Sequence, residues 1–306
     1  MKGGIGSTDV DVDVDVDVDV GIGTLISSAS GLVRPIGVSP ALTEHTNEDW
    51  YRGYKWPPYD AFPSWQTVPN KPKGFPLSYW GPYHRSVALL GEFIQATGPN
   101  NTKWDSFETA LRALLPTTNM AITAEIEELV ELIEYRPGVM SEALAERGDL
   151  LAYWSGILMF NRSSAPATCK LIDIVTRIGQ FQAMHYKWIF QRMRPSQISP
   201  ALLPPIEVPG HASFPSGHAT EAQLTALCLT RVMPDAAINP VLPSVDSPVL
   251  QMAQRIARNR EVLGLHYPSD TAAGKLLAQK TFDILTRQGQ CPTIQGIMSD
   301  AYNEWH

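Results

Sequence analysis

Apolar residues recur at spacings of three and four along most of this 306-residue chain, and this period decides the fold class. Such spacing lays an apolar stripe along a helix, whereas the strict alternation typical of strands is almost absent after residue 30. The sequence predicts helices over 82–97, 104–115, from Thr123 to a stop at Pro137, and over 142–160, 168–193, 218–232, 248–264 and 270–288. We therefore expect an all-α helical bundle.

The N-terminal region does not follow the helical period. Residues 9–20 alternate Asp and Val, which is a strand signal, but six Asp on one face repel one another. We interpret residues 1–33 as an arm that is either flexible or paired with another subunit, or that forms an acidic cation site. Residues 34–82 are rich in Pro, Trp and Tyr and predict an irregular segment over a core or at an active-site entrance. Residues 34–306 are then one catalytic domain.

Composition limits the classes of partner. A net charge of −7 argues against a nucleic-acid binder. The three cysteines (Cys169, Cys228 and Cys291) are too widely spaced for a zinc pattern, and so few cysteines fit a reducing compartment. No run reaches the roughly 18 apolar residues of a membrane span, and the first ten residues lack the apolar stretch of a signal peptide. We expect a protein without a transmembrane segment, cytoplasmic or otherwise soluble.

Two cations stand at the end of the helix predicted over 168–193. Lys187 and Arg194 are seven residues apart, so two helical turns bring them to nearly the same face before Pro195 stops the helix. Arg192 faces elsewhere and is interpreted as an ordinary surface residue. A solvated basic face is the alternative for the pair.

The tetrapeptide Pro215-Ser-Gly-His218 precedes another helical pattern and so lies at a helix N-terminus. The N–H groups and positive dipole end of a helix favour an anion there. Ser216 can cap the helix, Gly217 lets the backbone approach closely, and His218 can transfer a proton. The alternative is a plain cap beside a chance histidine.

A third stretch contains Arg260, His266 and Asp270. Gly264 loosens the last turn so that His266 leaves the helix, and Pro268 suits the first turn of the next one. Asp270 can accept the second imidazole N–H and hold one tautomer. A purely structural His-Asp pair is the alternative. Together the three stretches supply three cations, two imidazoles and a Ser-Gly turn, a set that suits an oxyanion of phosphate shape.

The motifs K-x6-RP, PSGH and R-x5-H-x3-D, in this order, resemble the type 2 phosphatidic acid phosphatase superfamily. That superfamily contains membrane lipid phosphatases, soluble bacterial acid phosphatases and vanadium-dependent haloperoxidases. The resemblance covers residues 187–270 and implies the helical-bundle fold of that superfamily.

Several details are most similar to the bromide-oxidising haloperoxidases. They are Lys187-Trp188 with Phe190, the stretch HASFPSGHAT at 211–220, a histidine at His211, and Leu263-Gly264 before His266. The end of the third motif, HYPSD, is instead what many phosphatases show. The resemblance thus implies a vanadium-dependent haloperoxidase that oxidises bromide or iodide with hydrogen peroxide to hypohalous acid.

The haloperoxidase resemblance also implies roles for individual residues. Vanadate is the cofactor, phosphate can occupy the same site, and His266 is the metal ligand. Lys187, Arg194, Arg260, Ser216 and Gly217 bind the oxyanion. His218 accepts a proton from peroxide, with Asp270 behind His266, and Lys187 polarises the bound peroxide. His211, Phe214 and Trp188 line the halide and substrate side. The expected partners are hydrogen peroxide, halide and a small organic acceptor, in a homo-oligomer.

The resemblance leaves a second enzyme open. As a soluble acid phosphatase, the same residues bind a phosphate monoester, His266 is the nucleophile that forms a phosphohistidine, and His218 protonates the leaving oxygen. A third possibility is an inactive scaffold or oligomeric binding protein, which the Val/Asp arm favours and the full set of site residues opposes.

Overall fold

The computed structural model describes residues 75, 79–148, 150–234 and 247–306. Gly81–His306 belongs to one compact unit, while residues 75, 79 and 80 belong to another. The arm at 1–33, with its Val/Asp repeat, and nearly all of the segment at 34–82 lie outside the described residues. The predictions made for them stay predictions.

The described chain after residue 81 is built from helices, so the all-α prediction is confirmed there. Its α-helices are α1 (Pro82–Gln95), α2 (Glu108–Arg112), α3 (Asn119–Glu131), α4 (Arg136–Ala145), α5 (Leu150–Leu158), α6 (Pro166–Phe190), α7 (Pro195–Ile198), α8 (Gly217–Val232), α9 (Pro248–Val262), α10 (Pro268–Leu285) and α11 (Pro292–Asn303). Short 3-10 turns lie at Pro99–Asn101, Leu132–Tyr135 and Pro200–Leu202. Within the described ranges, the only β-bridge is an isolated one between Thr97 and Lys103.

Three of the predicted helices differ from the structure. Pro137 does not stop a helix: α3 ends at Glu131 and a 3-10 turn follows, and Pro137 then lies in the first turn of α4, where its missing N–H costs nothing. The helix predicted over 142–160 is broken between α4 and α5 by a turn at 146–148. The helix predicted over 104–115 shrinks to α2, and the N–H of Phe107, the residue just before α2, donates to the Tyr186 hydroxyl (2.8 Å).

Helix α8 lies at the centre of the unit and packs against α6, α9 and α10, while α6 also packs against α1 and α11. Ala222, Ala226, Leu224 and Leu229 of α8 are all buried in the main core. The small side chains of Ala222 and Ala226 let neighbouring helices come close to α8, so the ends of these helices can meet. The N-termini of α8 and α10 do meet, because the N–H of Ser216 donates to the Asp270 carbonyl (3.0 Å).

Gly274 of α10 permits this close approach. A Cβ at this position would lie 2.7 Å from the Ser216 carbonyl oxygen and 2.9 Å from the Ala219 Cβ. Both neighbours belong to the start of α8, where backbone must move to make room. Gly274 therefore sets the distance between α10 and the PSGH turn.

We predict that Gly274→Ala lowers the free energy of unfolding by about 1–3 kcal/mol through overpacking. The matched control is Gly91→Ala in α1, where an added Cβ meets nothing within 4 Å. Because alanine favours a helix, the control is expected to gain about 0.5–1 kcal/mol. Urea unfolding of both variants is the measurement, and equal effects would contradict the packing role assigned to Gly274.

Candidate active site

The sequence predicted Lys187 and Arg194 on one helix, but the structure places them on different elements. Helix α6 ends at Phe190, and Gln191 takes a left-handed conformation with φ of 48°. Arg194 instead caps the short helix α7, where its backbone N–H donates to the Gln197 side chain (2.7 Å). Both cations are nonetheless buried, each with 2% of its surface exposed. The left-handed Gln191 ends α6 between the two cations, and both side chains then bond to the segment from His211 to Ser213.

The segment from His211 to Ser216 lies against the end of α6 and the residues after it. The Lys187 ammonium donates to the carbonyls of Ala212 (2.7 Å) and Ser213 (3.1 Å). The Arg194 guanidinium donates to the His211 carbonyl (2.9 Å) and also contacts the His211 Nδ1 at 2.9 Å. The same ring nitrogen lies 3.1 Å from the Ala212 carbonyl oxygen. The peptide bond between Phe214 and Pro215 is cis. The first and second motifs are thus joined directly.

Ser216 caps α8, as the sequence predicted. Its hydroxyl accepts a hydrogen bond from the N–H of Ala219 (3.3 Å), and Gly217 and His218 form the first turn. The side chain of Ser216 is buried, and Gly217 and His218 are half-buried. The positive end of a 16-residue helix therefore points to the place where the other motifs arrive.

His266 is held from both sides. Its Nδ1 lies 3.0 Å from Oδ2 of Asp270, and its Nε2 lies 3.1 Å from Nη1 of Arg194. Since an Arg guanidinium cannot accept a proton and a carboxylate readily does, Nδ1 carries the hydrogen and Nε2 keeps its lone pair. Burial, followed by the charges of Arg194 and Lys187, holds the pKa of His266 well below its usual range. The imidazole is neutral at neutral pH and presents a nucleophilic nitrogen.

Asp270 is fully buried and uses both carboxylate oxygens. Oδ2 accepts from His266 and from the N–H of Tyr267 (3.1 Å), and Oδ1 accepts from Arg192 (2.7 Å). Burial raises the pKa of Asp270, and the Arg192 guanidinium opposes that rise. The His266-Asp270 pair predicted from the sequence is therefore present, with an additional cation behind it.

Arg192 was misjudged as an ordinary surface residue. Its side chain is only 10% exposed and forms ion pairs with Asp270 and with Glu125 of α3, each at 2.7 Å. Its guanidinium also lies 3.6 Å from the centroid of the Tyr267 ring. The sequence carried no signal for this role, because Glu125 is 67 residues away along the chain.

Arg260 is also buried, and its partner is a residue that the sequence analysis missed. Its Nη2 lies 3.3 Å from Oε2 of Glu146, just after α4, and Asn259 donates to the other oxygen of that carboxylate (2.7 Å). Burial raises the pKa of Glu146 to about 7 from an ordinary 4.5, and the Arg260 charge and the Asn259 hydrogen bond oppose the rise. Glu146 thus controls how much of the Arg260 charge is offset within the protein.

Three of the predicted site residues differ in how far they are buried. Phe214 is fully buried against Phe190, with ring centroids 4.9 Å apart. His218 is half-buried, and its charge is among those that lower the pKa of His266. Trp188, predicted to line the substrate side, is 79% exposed, because neighbouring helical residues point in different directions and Lys187 is the one turned inward. The structure does not bring Trp188 into the cluster.

The described ranges contain no group of three or more His, Cys, Asp and Glu side chains that could hold a metal ion. Among the helices described, none has the length and apolarity needed to cross a bilayer. The residues that do converge are mostly hydrogen-bond donors and cations, together with the Asp270 carboxylate behind His266. They are Lys187, Arg194 and His211, the capped start of α8 with Ser216, Gly217 and His218, and the His266-Asp270 pair. Such a donor set fits a tetrahedral oxyanion.

A family model matches the part of the chain that carries most of this cluster, and several known proteins are similar to the chain. The family model described as PAP2 superfamily matches residues 170–288. A decaprenylphosphoryl-5-phosphoribose phosphatase of Mycobacterium tuberculosis (strain CDC 1551 / Oshkosh) is 31% identical over 148 residues, which is 46% of this chain and 76% of the relative. The chain belongs to the PAP2 superfamily. The residues matched by the family model, 170–288, include all three motifs.

Other relatives of this PAP2 protein carry the same name. The decaprenylphosphoryl-5-phosphoribose phosphatase of M. tuberculosis H37Rv gives the same 31% identity over 148 residues. The one from Mycolicibacterium smegmatis is 28% identical over 144 residues, covering 45% of this chain and 73% of the relative. The expectation of a bromide- or iodide-oxidising haloperoxidase is therefore wrong, since these relatives are phosphatases and the PAP2 family points to that enzyme type. The phosphatase-like HYPSD sequence was the signal that deserved more weight.

The pKa of Glu146 predicts how stability depends on pH. A carboxyl whose pKa is about 7 when folded, against an ordinary 4.5, takes up a proton on folding between these values. Its contribution to stability is present below pH 4.5 and is lost as the pH rises through about 7. The loss amounts to at most about 3 kcal/mol.

We predict that Glu146→Gln removes this titration. The free energy of unfolding, measured by urea titration at several pH values, should fall from pH 5 to pH 8 more steeply in the unaltered protein than in the variant. Glu134→Gln, in the 3-10 turn after α3, is the control for removing a carboxylate. Parallel pH curves for the unaltered protein and Glu146→Gln would contradict the shifted pKa.

Proposed function

We propose that this PAP2 protein hydrolyses phosphate monoesters through a phosphohistidine at His266. The observation that carries the proposal is the two-sided hold on this imidazole. Asp270 accepts the Nδ1–H at 3.0 Å, and the Arg194 guanidinium lies 3.1 Å from Nε2. A neutral ring with its lone pair beside a cation is suited to attack the phosphorus of an anion that the same cation binds.

The first chemical step is attack of Nε2 on phosphorus and departure of the ester oxygen. Negative charge on the equatorial oxygens of the five-coordinate transition state is offset by Lys187 and Arg194, and by Arg260 to the extent that its Glu146 partner leaves the charge uncompensated. The N–H groups at the start of α8 and the Ser216 hydroxyl add further donors. Lys187 is anchored for this role by the carbonyls of Ala212 and Ser213.

His218 serves as the acid and base. It lies in the first turn of α8, half-buried, where it can reach the outer side of a bound phosphate. In the first step it protonates the leaving oxygen, and in the second it takes a proton from the water that hydrolyses the phosphohistidine. Asp270 keeps the Nδ1 proton of His266 in place during both steps.

The donor set also bears on vanadate. Vanadate has the shape and charge of phosphate, so Lys187, Arg194 and the α8 N-terminus suit either oxyanion. Vanadate as a resident cofactor stays an untested prediction. In the phosphatase proposed here, vanadate binds at the phosphate position and competes with the substrate.

We predict that the purified protein releases p-nitrophenol from p-nitrophenyl phosphate and that vanadate inhibits competitively. His266→Ala should lose essentially all turnover, and His218→Ala should lose roughly 10²–10⁴-fold in kcat because proton transfer is removed. His84→Ala, at an exposed position of α1, is the matched control and should keep full activity. Normal turnover in His266→Ala would contradict the proposal.

The class of substrate can be tested by comparing two phosphate monoesters. The relatives' name specifies a 5-phosphoribose carried on a decaprenylphosphoryl group. We propose that this chain also accepts a phosphate on a sugar carbon, and ribose 5-phosphate is the smallest probe. Phosphate release from ribose 5-phosphate with a kcat/KM above that for p-nitrophenyl phosphate would support a sugar substrate. A preference for p-nitrophenyl phosphate would count against it.

A further inference from the structure

Arg192 stands behind the His266-Asp270 pair on the side away from the proposed phosphate. It follows the left-handed Gln191 at the end of α6 and lies two residues before Arg194. None of the motifs that placed the chain in its superfamily requires a cation at this position. Yet its guanidinium is almost buried and is bonded to a residue of the proposed active site.

The two oxygens of Asp270 have separate partners. Oδ1 accepts from Nη1 of Arg192 at 2.7 Å, whereas Oδ2 accepts from His266 at 3.0 Å and from the Tyr267 N–H at 3.1 Å. A carboxylate that turned about its Cβ–Cγ bond would break both sets of bonds. Arg192 therefore fixes the rotation that directs Oδ2 at the imidazole.

Arg192 is itself held on three sides. Nη2 donates to Oε2 of Glu125 at 2.7 Å, and Nη1 also donates to the Ser269 hydroxyl at 2.7 Å. The second oxygen of Glu125 accepts the N–H of Ser269 at 2.7 Å, which ties α3 to the start of α10. The Tyr267 ring lies beneath the guanidinium at 3.6 Å. A planar fork suits these directions, and a point charge such as Lys does not match all of them.

We propose that Arg192 is a positioning residue for the reaction, acting on His266 through Asp270. With Arg192 in place, the carboxylate holds the hydrogen on Nδ1 and leaves the Nε2 lone pair facing the phosphate position. Glu125 supports the same arrangement by orienting Arg192. This inference rests on the proposed phosphatase activity for its kinetic consequences, while its consequence for the tautomer of His266 does not depend on activity.

The kinetic test compares Arg192→Gln, Arg192→Lys and Glu125→Gln on p-nitrophenyl phosphate. Arg192→Gln should lower kcat roughly 10–100-fold. Its KM should stay within about twofold, because the phosphate-binding cations are intact and Arg192 does not touch the substrate. Arg192→Lys keeps the charge without the fork and should recover part of kcat. Glu125→Gln should show a smaller loss than Arg192→Gln.

Arg258→Gln is the matched control. Arg258 also links two carboxylates, those of Glu128 on α3 (2.8 Å) and Glu261 on α9, but it takes no part in the proposed reaction. Its loss removes another ion-pair bridge to α3, a more exposed one in which the Arg258 side chain is 45% exposed, so kcat should not change. Equal losses of kcat in Arg258→Gln and Arg192→Gln would show that Arg192 is merely structural and would overturn the proposal.

The second readout is the nitrogen spectrum of histidine-labelled protein, with the His266 signals assigned by comparison with His266→Gln. The unaltered protein should show a protonated Nδ1 and an unprotonated Nε2, and Arg192→Gln should show a mixture of tautomers. An unchanged tautomer together with unchanged kcat would overturn the inference. If the unaltered protein hydrolyses no phosphate ester, the proposed function fails, and the spectra of Arg192→Lys and Glu125→Gln still decide the role of Arg192.

Discussion

The chemistry proposed for this protein depends on the placement of one imidazole between an anion and a cation. Asp270 holds Nδ1 of His266 and Arg194 lies against Nε2, so the ring keeps one tautomer, and burial together with the surrounding positive charge keeps it neutral. Each partner needs its own support, because a buried charge without a partner is strongly unfavourable. Arg192 supports Asp270, and the His211 carbonyl and ring support Arg194. In the site, each charged group is therefore bonded to the next, from Arg192 through Asp270 and His266 to Arg194.

The helical scaffold makes this pairing possible by bringing helix ends together. The starts of α8 and α10 meet through the bond from Ser216 to the Asp270 carbonyl, and Gly274 allows the two helices to approach. Lys187 ties the segment before Pro215 to the last turn of α6. Since a helix N-terminus attracts anions, an arrangement that joins one such end to several cations has a clear preference for an oxyanion.

Local features of this site could be read from the sequence, whereas distant pairings could not. The cap at Ser216, the break at Gly264 and the spacing from His266 to Asp270 depend on neighbours within a few residues. The partners of Arg192 and Arg260 include Glu125 and Glu146, which are 67 and 114 residues away. The left-handed conformation of Gln191 could not be predicted from the sequence either, since this conformation favours glycine and Gln191 carries a side chain. The K-x6-RP and PSGH motifs are common to phosphatases and haloperoxidases, and only the HYPSD end of the third motif pointed to a phosphatase.

In the proposed site, residues from these separate helix ends surround a single oxyanion at Nε2 of His266. A crystal structure of the protein soaked with orthovanadate tests this arrangement most directly. We expect one vanadate whose metal lies within bonding distance of Nε2, with Lys187, Arg194 and the α8 N-terminus contacting its oxygens. Vanadate bound elsewhere, or an Nε2 turned away from Lys187 and Arg194, would contradict this arrangement.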